Sequence, residues 1–110
     1  MEDNFKWENA CLTIRLPGEL DHTAADELRR ETEKIMNRNF TRMSIFDFQD
    51  TQFMDSSGIG LIMGRYRALG LRGGCIQAVH VNPYIERMLR ISGLHKYMNI
   101  QKEEYYAKHQ

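Results

Sequence analysis

Two adjacent serines behind an aspartate, Asp55-Ser56-Ser57-Gly58, are the residues of this chain best suited by type and spacing to do chemistry. They lie where a short apolar stretch and an acidic loop give way to helical spacing, and so at a helix N-terminus. The free backbone N–H groups of such an end favour side-chain oxygens and added anions. A serine hydroxyl there can simply cap the helix, which is worth ~1 kcal/mol. It can also accept a phosphate, which requires a hydroxyl that another enzyme can reach. A loop-to-helix junction at the C-terminal end of a parallel strand gives that exposure. Asp21 and Asp55 each follow an expected strand, and parallel strands deliver their C-terminal ends to one edge of a sheet. Both carboxylates are therefore expected on the rim that holds Ser56, where each also suits helix capping.

Gly58, Gly60 and Gly64 interrupt the helix that begins at Ser56, at about 1 kcal/mol each relative to alanine. Gly60 and Gly64 lie four apart on one face, beside Leu61. They serve either close packing of this helix on its own sheet or a flat surface where a partner backbone approaches. The four histidines are scattered without ligand spacing and read as surface or edge residues. No histidine, lysine or metal-ligand set converges by sequence on the serine loop, so a catalytic dyad is not expected. Gly70-Leu71-Arg72-Gly73-Gly74 follows a helix and lacks the lysine and Ser/Thr of a phosphate loop. The chain has neither a hydrolase elbow nor a dinucleotide fingerprint.

The elements that must position these residues fit one domain of 110 residues, with a core over about 4–101. Lys plus Arg equal Asp plus Glu at 15 each, so no net field draws nucleic acid or an anionic membrane, and contacts must come from local chemistry. No apolar run approaches the roughly 20 residues that span a bilayer, and MEDNFKWENA has no apolar signal core. A cytoplasmic protein without membrane attachment is expected. Cys11 and Cys75 each begin an apparent strand and read as buried free thiols.

Phe5 and Trp7 alternate with charges, as in a short edge strand, and Glu8-Asn9-Ala10 suits a hairpin turn. Leu12, Ile14 and Leu16 have the period of a half-buried strand over Cys11–Leu16. Gly18-Glu19-Leu20-Asp21 reads as a loop. Ala25, Leu28, Thr32, Ile35 and Met36 then recur at helical spacing until Asn37-Arg38-Asn39. Met43–Phe48 reads as a central buried strand. From Ser56, Ile59, Ile62, Met63, Tyr66 and Leu69 form one stripe that ends at Gly70. Cys75–Val81 is a third core strand, and Asn82-Pro83 starts a helix that ends at Gly93. His95–Ile100 is expected as a last strand and the polar tail 102–110 as a short fourth helix. This order predicts an α/β fold with a mainly parallel sheet of four to five strands, an antiparallel N-terminal edge strand and about four helices.

Several of these motifs resemble one family. Gly18-Glu19-Leu20-Asp21, Phe53-Met54-Asp55-Ser56-Ser57-Gly58-Ile59-Gly60, Gly64-Arg65-Tyr66, Gly73-Gly74 and Ser92-Gly93-Leu94 are similar to the STAS-domain anti-sigma-factor antagonists. These are small bacterial partners of serine-kinase anti-sigma factors, best known from sporulation. The resemblance runs from about residue 4 to 101. It implies a protein that is not an enzyme. Its unphosphorylated form binds an anti-sigma factor serine kinase and frees the sigma factor, and that kinase uses ATP to phosphorylate Ser56. A metal-dependent serine phosphatase restores it. The implied binding surface holds Asp21, Asp55, Ser56, Ser57, Gly58, Gly60, Leu61 and Gly64. A monomer or weak dimer is expected, with no direct nucleic-acid contact and no cofactor beyond at most weak nucleotide binding. The tail from Gln101 and the stretch His22-Thr23-Ala24-Ala25 depart in detail from the family pattern.

Two alternatives accompany this reading. One is a STAS module of a stress-response or transporter assembly, the transporter case being opposed by a 110-residue chain without membrane segments. The other is an aspartate-phosphorylated receiver domain with Asp47 as acceptor and Glu19 and Asp21 as its acidic pair. No lysine follows Cys75–Val81 to support a receiver, and it would leave the serine pair unexplained.

Overall fold

The computed structural model describes residues 4–103. Strands β1 (Phe5–Glu8), β2 (Cys11–Arg15), β4 (Met43–Asp47), β6 (Ile76–Val81) and β7 (Asn99–Lys102) form one sheet in the order β1-β2-β4-β6-β7. Only the β1–β2 pair is antiparallel; β2, β4, β6 and β7 pair in parallel. Two-residue strands β3 (Glu19–Leu20) and β5 (Phe53–Met54) pair separately, also in parallel. Helices α1 (His22–Arg38), α2 (Ser56–Ala68) and α3 (Pro83–Ile91) occupy the crossovers. The expected mixed sheet with an antiparallel edge is the observed one.

One face of the sheet carries the core. Leu12, Ile14, Phe46, Ile76 and Ala78 are buried, while the alternate residues Thr13, Ile45 and Gln77 are only half buried. Period-two patterning therefore selects the helix-covered face. Helical patterning does the same from the other side, with Ala25 and Leu28 of α1, Leu61 and Ile62 of α2, and Ile85 and Leu89 of α3. Each helix starts at a capped end. Asp21 accepts from the Ala24 N–H at 3.0 Å, Asp55 from Ser57 at 2.8 Å and Asn82 from Ile85 at 2.8 Å. Asn82 also donates to the Thr51 carbonyl, and Pro83 holds the first helical position, where its missing N–H costs nothing.

The observed elements differ from the expected ones in several places. Gly18–Asp21 is not merely a loop, since Glu19 and Leu20 gain a partner strand 34 residues away in sequence. The end of α1 lies at Arg38, with Asn39 as its C-cap, so Asn37 and Arg38 continue the helix. Leu94–Lys96 makes a 3₁₀ turn and β7 then runs to Lys102, so Lys102 is strand where a helical tail was expected. Three α-helices lie among the described residues; the rest of the expected fourth, 104–110, lies outside them. Cys75 is buried but Cys11 is half buried, on the strand face away from Leu12. Burial raises the Cys11 thiol above its ordinary value.

The stripe on α2 is also wider than expected, taking in Gly58, Leu61 and Arg65. Ile59 and Met63 are half buried, and the buried line is Gly58, Leu61, Ile62, Arg65, Tyr66 and Leu69. An arginine takes a core position because Glu33 of α1 lies 3.3 Å from its guanidinium and Met36 Sδ lies 3.5 Å away. Burial lowers the Arg65 pKa from its ordinary value, and Glu33 works against that shift. This pair ties α2 to α1. At the other side, Glu86 of α3 accepts from Arg90 at 3.1 Å and lies 3.7 Å from Lys102 of β7. Among the described residues, no helix is long and apolar enough to cross a membrane.

Candidate functional site

The parallel register of β3 and β5 builds the site. Glu19 pairs with Phe53 and Leu20 with Met54, so the next residues, Asp21 and Asp55, leave the two strands side by side. The Asp55 N–H donates to the Leu20 carbonyl at 3.3 Å. Each aspartate then caps a helix, which brings the N-termini of α1 and α2 to one rim. The partial positive charge of two helix ends converges there, and an anion on this rim is favoured by both.

The two serines occupy the first turn of α2 differently. Ser56 is exposed, and its hydroxyl has no hydrogen-bond partner among the described residues. Ser57 is half buried; its N–H goes to Asp55, and its Oγ lies 3.4 Å from His22 Nδ1 at the start of α1. No histidine was expected on this loop by sequence. His22 does converge on it, because the β3–β5 pairing carries it across 35 residues.

The glycines divide by role. An added Cβ at Gly58 would lie 2.5 Å from Met54 Cγ and 2.9 Å from Leu20 Cδ2, so this glycine lets α2 close onto the β3–β5 pair. At Gly60 and Gly64 an added Cβ meets nothing within 4 Å. Packing on the chain's own sheet, the first of the two expected uses, therefore holds for Gly58 alone. Leu61, expected on the partner-facing surface, is 3% exposed and contributes to the core and to the floor of a cavity between α1 and α2. Gly58 is likewise buried, so neither offers a side-chain surface to a partner. Exposed Phe53 of β5 and exposed Tyr84 lie next to the strand that leads into the rim, with the Tyr84 hydroxyl donating to the Met54 carbonyl at 3.0 Å.

Charge near the rim is largely balanced. Asp26, one turn into α1, accepts from Arg29 at 2.6 Å and from Arg30, and these bonds hold its carboxyl below the ordinary range. The acidic set of a receiver domain is not assembled. Asp21 is committed to its cap, and Asp47 accepts from the Gln49 N–H and lies 2.8 Å from His80 Nδ1. Among the described residues, no group of three His, Cys, Asp or Glu side chains is placed to hold a metal ion.

A signal for the β3–β5 pair did exist in the chain. Glu19-Leu20-Asp21-His22-Thr23 and Phe53-Met54-Asp55-Ser56-Ser57 share one order: an apolar residue, an aspartate, then two polar residues. Two short strands handing over to capped helices require that order twice. Arg65 carried no such signal, since arginine is ordinarily exposed.

Comparison with known proteins agrees with this architecture. The STAS domain profile matches residues 5–107. The chain belongs to the STAS domain family. An anti-sigma F factor antagonist from Paenibacillus polymyxa is 40% identical over 104 residues, covering 94% of this chain and 89% of that protein. The anti-sigma factor antagonist SpoIIAA in its unphosphorylated form is 31% identical, with a TM-score of 0.77 over 92% of this chain and 89% of that one. The Bacillus cell fate determinant SpoIIAA in the phosphorylated form is 30% identical, with a TM-score of 0.69 over 94% and 95%. Within the STAS family, this chain therefore sits among the bacterial anti-sigma-factor antagonists, a group of regulatory binding proteins.

Proposed function

We propose that this chain is an anti-sigma-factor antagonist switched by phosphorylation of Ser56. In its unmodified form it binds a serine-kinase anti-sigma factor through the rim of Asp21, Asp55, Ser56 and Ser57 and the open glycine face at Gly60 and Gly64. Binding frees the sigma factor. The kinase uses ATP to phosphorylate Ser56, the complex parts, and a metal-dependent serine phosphatase resets the switch. The chain is then a substrate and binding partner rather than an enzyme. It acts in the cytoplasm as a monomer or weak dimer and has no cofactor of its own. The observation that carries this reading is the exposed Ser56 hydroxyl, without a partner among the described residues, on a capped helix N-terminus. The forms in which SpoIIAA has been solved, phosphorylated and unphosphorylated, support it.

Electrostatics explains why such a switch blocks a surface without reshaping the fold. A phosphoserine adds about −1.5 to −2 charges. At a helix N-terminus the dipole favours that charge by ~0.3–1 kcal/mol, so the domain stays folded. Toward a partner, one like-charge contact at ~6 Å and an effective dielectric of ~20 costs on the order of 3 kcal/mol. That weakens binding roughly a hundredfold.

The test combines the chain with a candidate serine-kinase anti-sigma factor and ATP, and reads intact mass beside a Ser56→Ala control. One phosphate on the wild type and none on the control is the expected result. The phosphorylated protein should then bind the kinase about a hundredfold more weakly with an unchanged circular dichroism spectrum. An unfolded phosphoprotein, or one that binds as tightly as before, defeats the proposal.

A further inference from the structure

Ser56 and Ser57 are adjacent and chemically identical, so a kinase that meets this helix start has two serines to choose between. One step along an α-helix turns a side chain by about 100°. That rotation leaves Ser56 pointing into solvent and brings Ser57 back toward α1. The Ser57 hydroxyl lies 3.4 Å from His22 Nδ1 and lines a cavity of about 210 Å³ between the two helices, which His22 also lines. Nothing in the local sequence of α2 creates this difference. It arises because β3 and β5 place the first residue of α1 beside the first turn of α2.

We propose that His22 selects the phosphoacceptor. It holds the Ser57 hydroxyl toward the helix cleft and occupies the space beside it, leaving Ser56 as the hydroxyl that can align with the γ-phosphate of ATP. This inference rests on the reading of Ser56 as a kinase substrate. In the transfer, serine Oγ forms a bond to the γ-phosphorus, and the bond from that phosphorus to the β,γ-bridging oxygen breaks. ADP leaves, and the hydroxyl proton passes to a base of the kinase. Ser57 can enter that reaction only after leaving His22 and turning outward. Its product would also be poorly housed. A dianion in the cleft would meet the buried side chain of Leu61 and the carboxylate of Asp26. The one arginine lining the cleft, Arg29, is already paired with Asp26 and Glu33. His22 is thus a positioning residue, acting on the choice of acceptor through Ser57.

The experiment uses the full chain, a serine-kinase anti-sigma factor active on its own antagonist, and ATP, with the modified serine located by tandem mass spectrometry. Wild type and His22→Ala should carry phosphate on Ser56, and Ser56→Ala should carry almost none. The double variant Ser56→Ala/His22→Ala should gain phosphate on Ser57 at least tenfold faster than Ser56→Ala alone. The double variant Ser56→Ala/His22→Asn, whose asparagine amide can still bond the Ser57 hydroxyl, should restore the low rate. A merely structural role for His22 would not move the identity of the acceptor. The inference is overturned if the double variant stays unmodified while wild type is phosphorylated on Ser56. It is equally overturned if Ser56→Ala is already modified on Ser57 at the wild-type rate. Loss of Ser56 phosphate in His22→Ala alone would make His22 a contact of the kinase and overturn it too. A wild type that takes no phosphate removes the kinase-substrate reading itself, and the inference with it.

Discussion

The starts of α1 and α2 are assembled from the same parts. Each follows a two-residue strand of one parallel pair, each has an aspartate as N-cap, and each puts a polar residue at its first helical position. They differ most at the first and third positions, with Thr23 and Ser57 between. His22 begins α1 and Ser56 begins α2; Ala24 stands third in α1 and Gly58 third in α2. The capped end alone therefore does not mark function, because both ends have it. What separates them is an exposed serine hydroxyl at the first position of one, where the other has a histidine, and a glycine that lets that helix sit closer to the strands beneath it.

That contrast can be broken most severely at the third position. Ala24 carries its methyl group packed against the core, whereas the same methyl at Gly58 would lie 2.5 Å from Met54 Cγ and 2.7 Å from Met54 Sδ. Gly58→Ala should therefore destabilise the fold by about 1–3 kcal/mol, less whatever alanine returns in helix propensity. Urea unfolding checks this, and an unchanged midpoint would mean that α2 can shift freely on β5. The reverse substitution, Ala24→Gly, should cost about 0.5–1 kcal/mol through backbone entropy alone.

The caps sharpen the comparison at a smaller scale. Asp21→Ala and Asp55→Ala should each lower stability by about 1 kcal/mol, since each removes one acceptor for an otherwise unpaired N–H. Equal losses in thermal unfolding, with unequal losses in partner binding, would show that the rim is used asymmetrically. A much larger loss at Asp55 would mean that its cap is also holding the β3–β5 pair.

The smallest effect concerns Gly60 and has the opposite sign. An added Cβ there meets nothing within 4 Å, so Gly60→Ala should stabilise α2 by up to about 1 kcal/mol. Binding to the anti-sigma factor should weaken at the same time if the proposed interface holds, because a methyl group would then stand against the partner. Stability that rises with unaltered binding would take Gly60 out of the interface.

Much of this architecture was legible in the chain. The alternation of Leu12, Ile14 and Leu16, the dense Met43–Phe48 stretch and the Asn82-Pro83 start all rest on short-range periodicity and local backbone chemistry. The exposed serine at a capped helix start was legible for the same reason. The glycine pair at 60 and 64 could be located but not interpreted, because neighbours within the helix do not say what lies across from it. The stripe on α2 was read without Arg65, because a residue type that normally stays in solvent takes a core position there.

Sequence alone determined the alternation of the main strands and helices, the capped helix ends and the chemistry available at Asp55-Ser56-Ser57, since each rests on local periodicity and backbone chemistry, and the mainly parallel sheet follows from that alternation. Tertiary structure decided which parts meet. The pairing of Glu19-Leu20 with Phe53-Met54 is too short to show any period, and it gains its stability from strands and helices that must already be in place. The same is true of Glu33 against Arg65 and of His22 against Ser57, contacts spanning 32 and 35 residues. Each pairs side chains that neither local propensity nor spacing could bring together. They meet because burying the common apolar face of the sheet leaves α1 and α2 one way to lie beside each other.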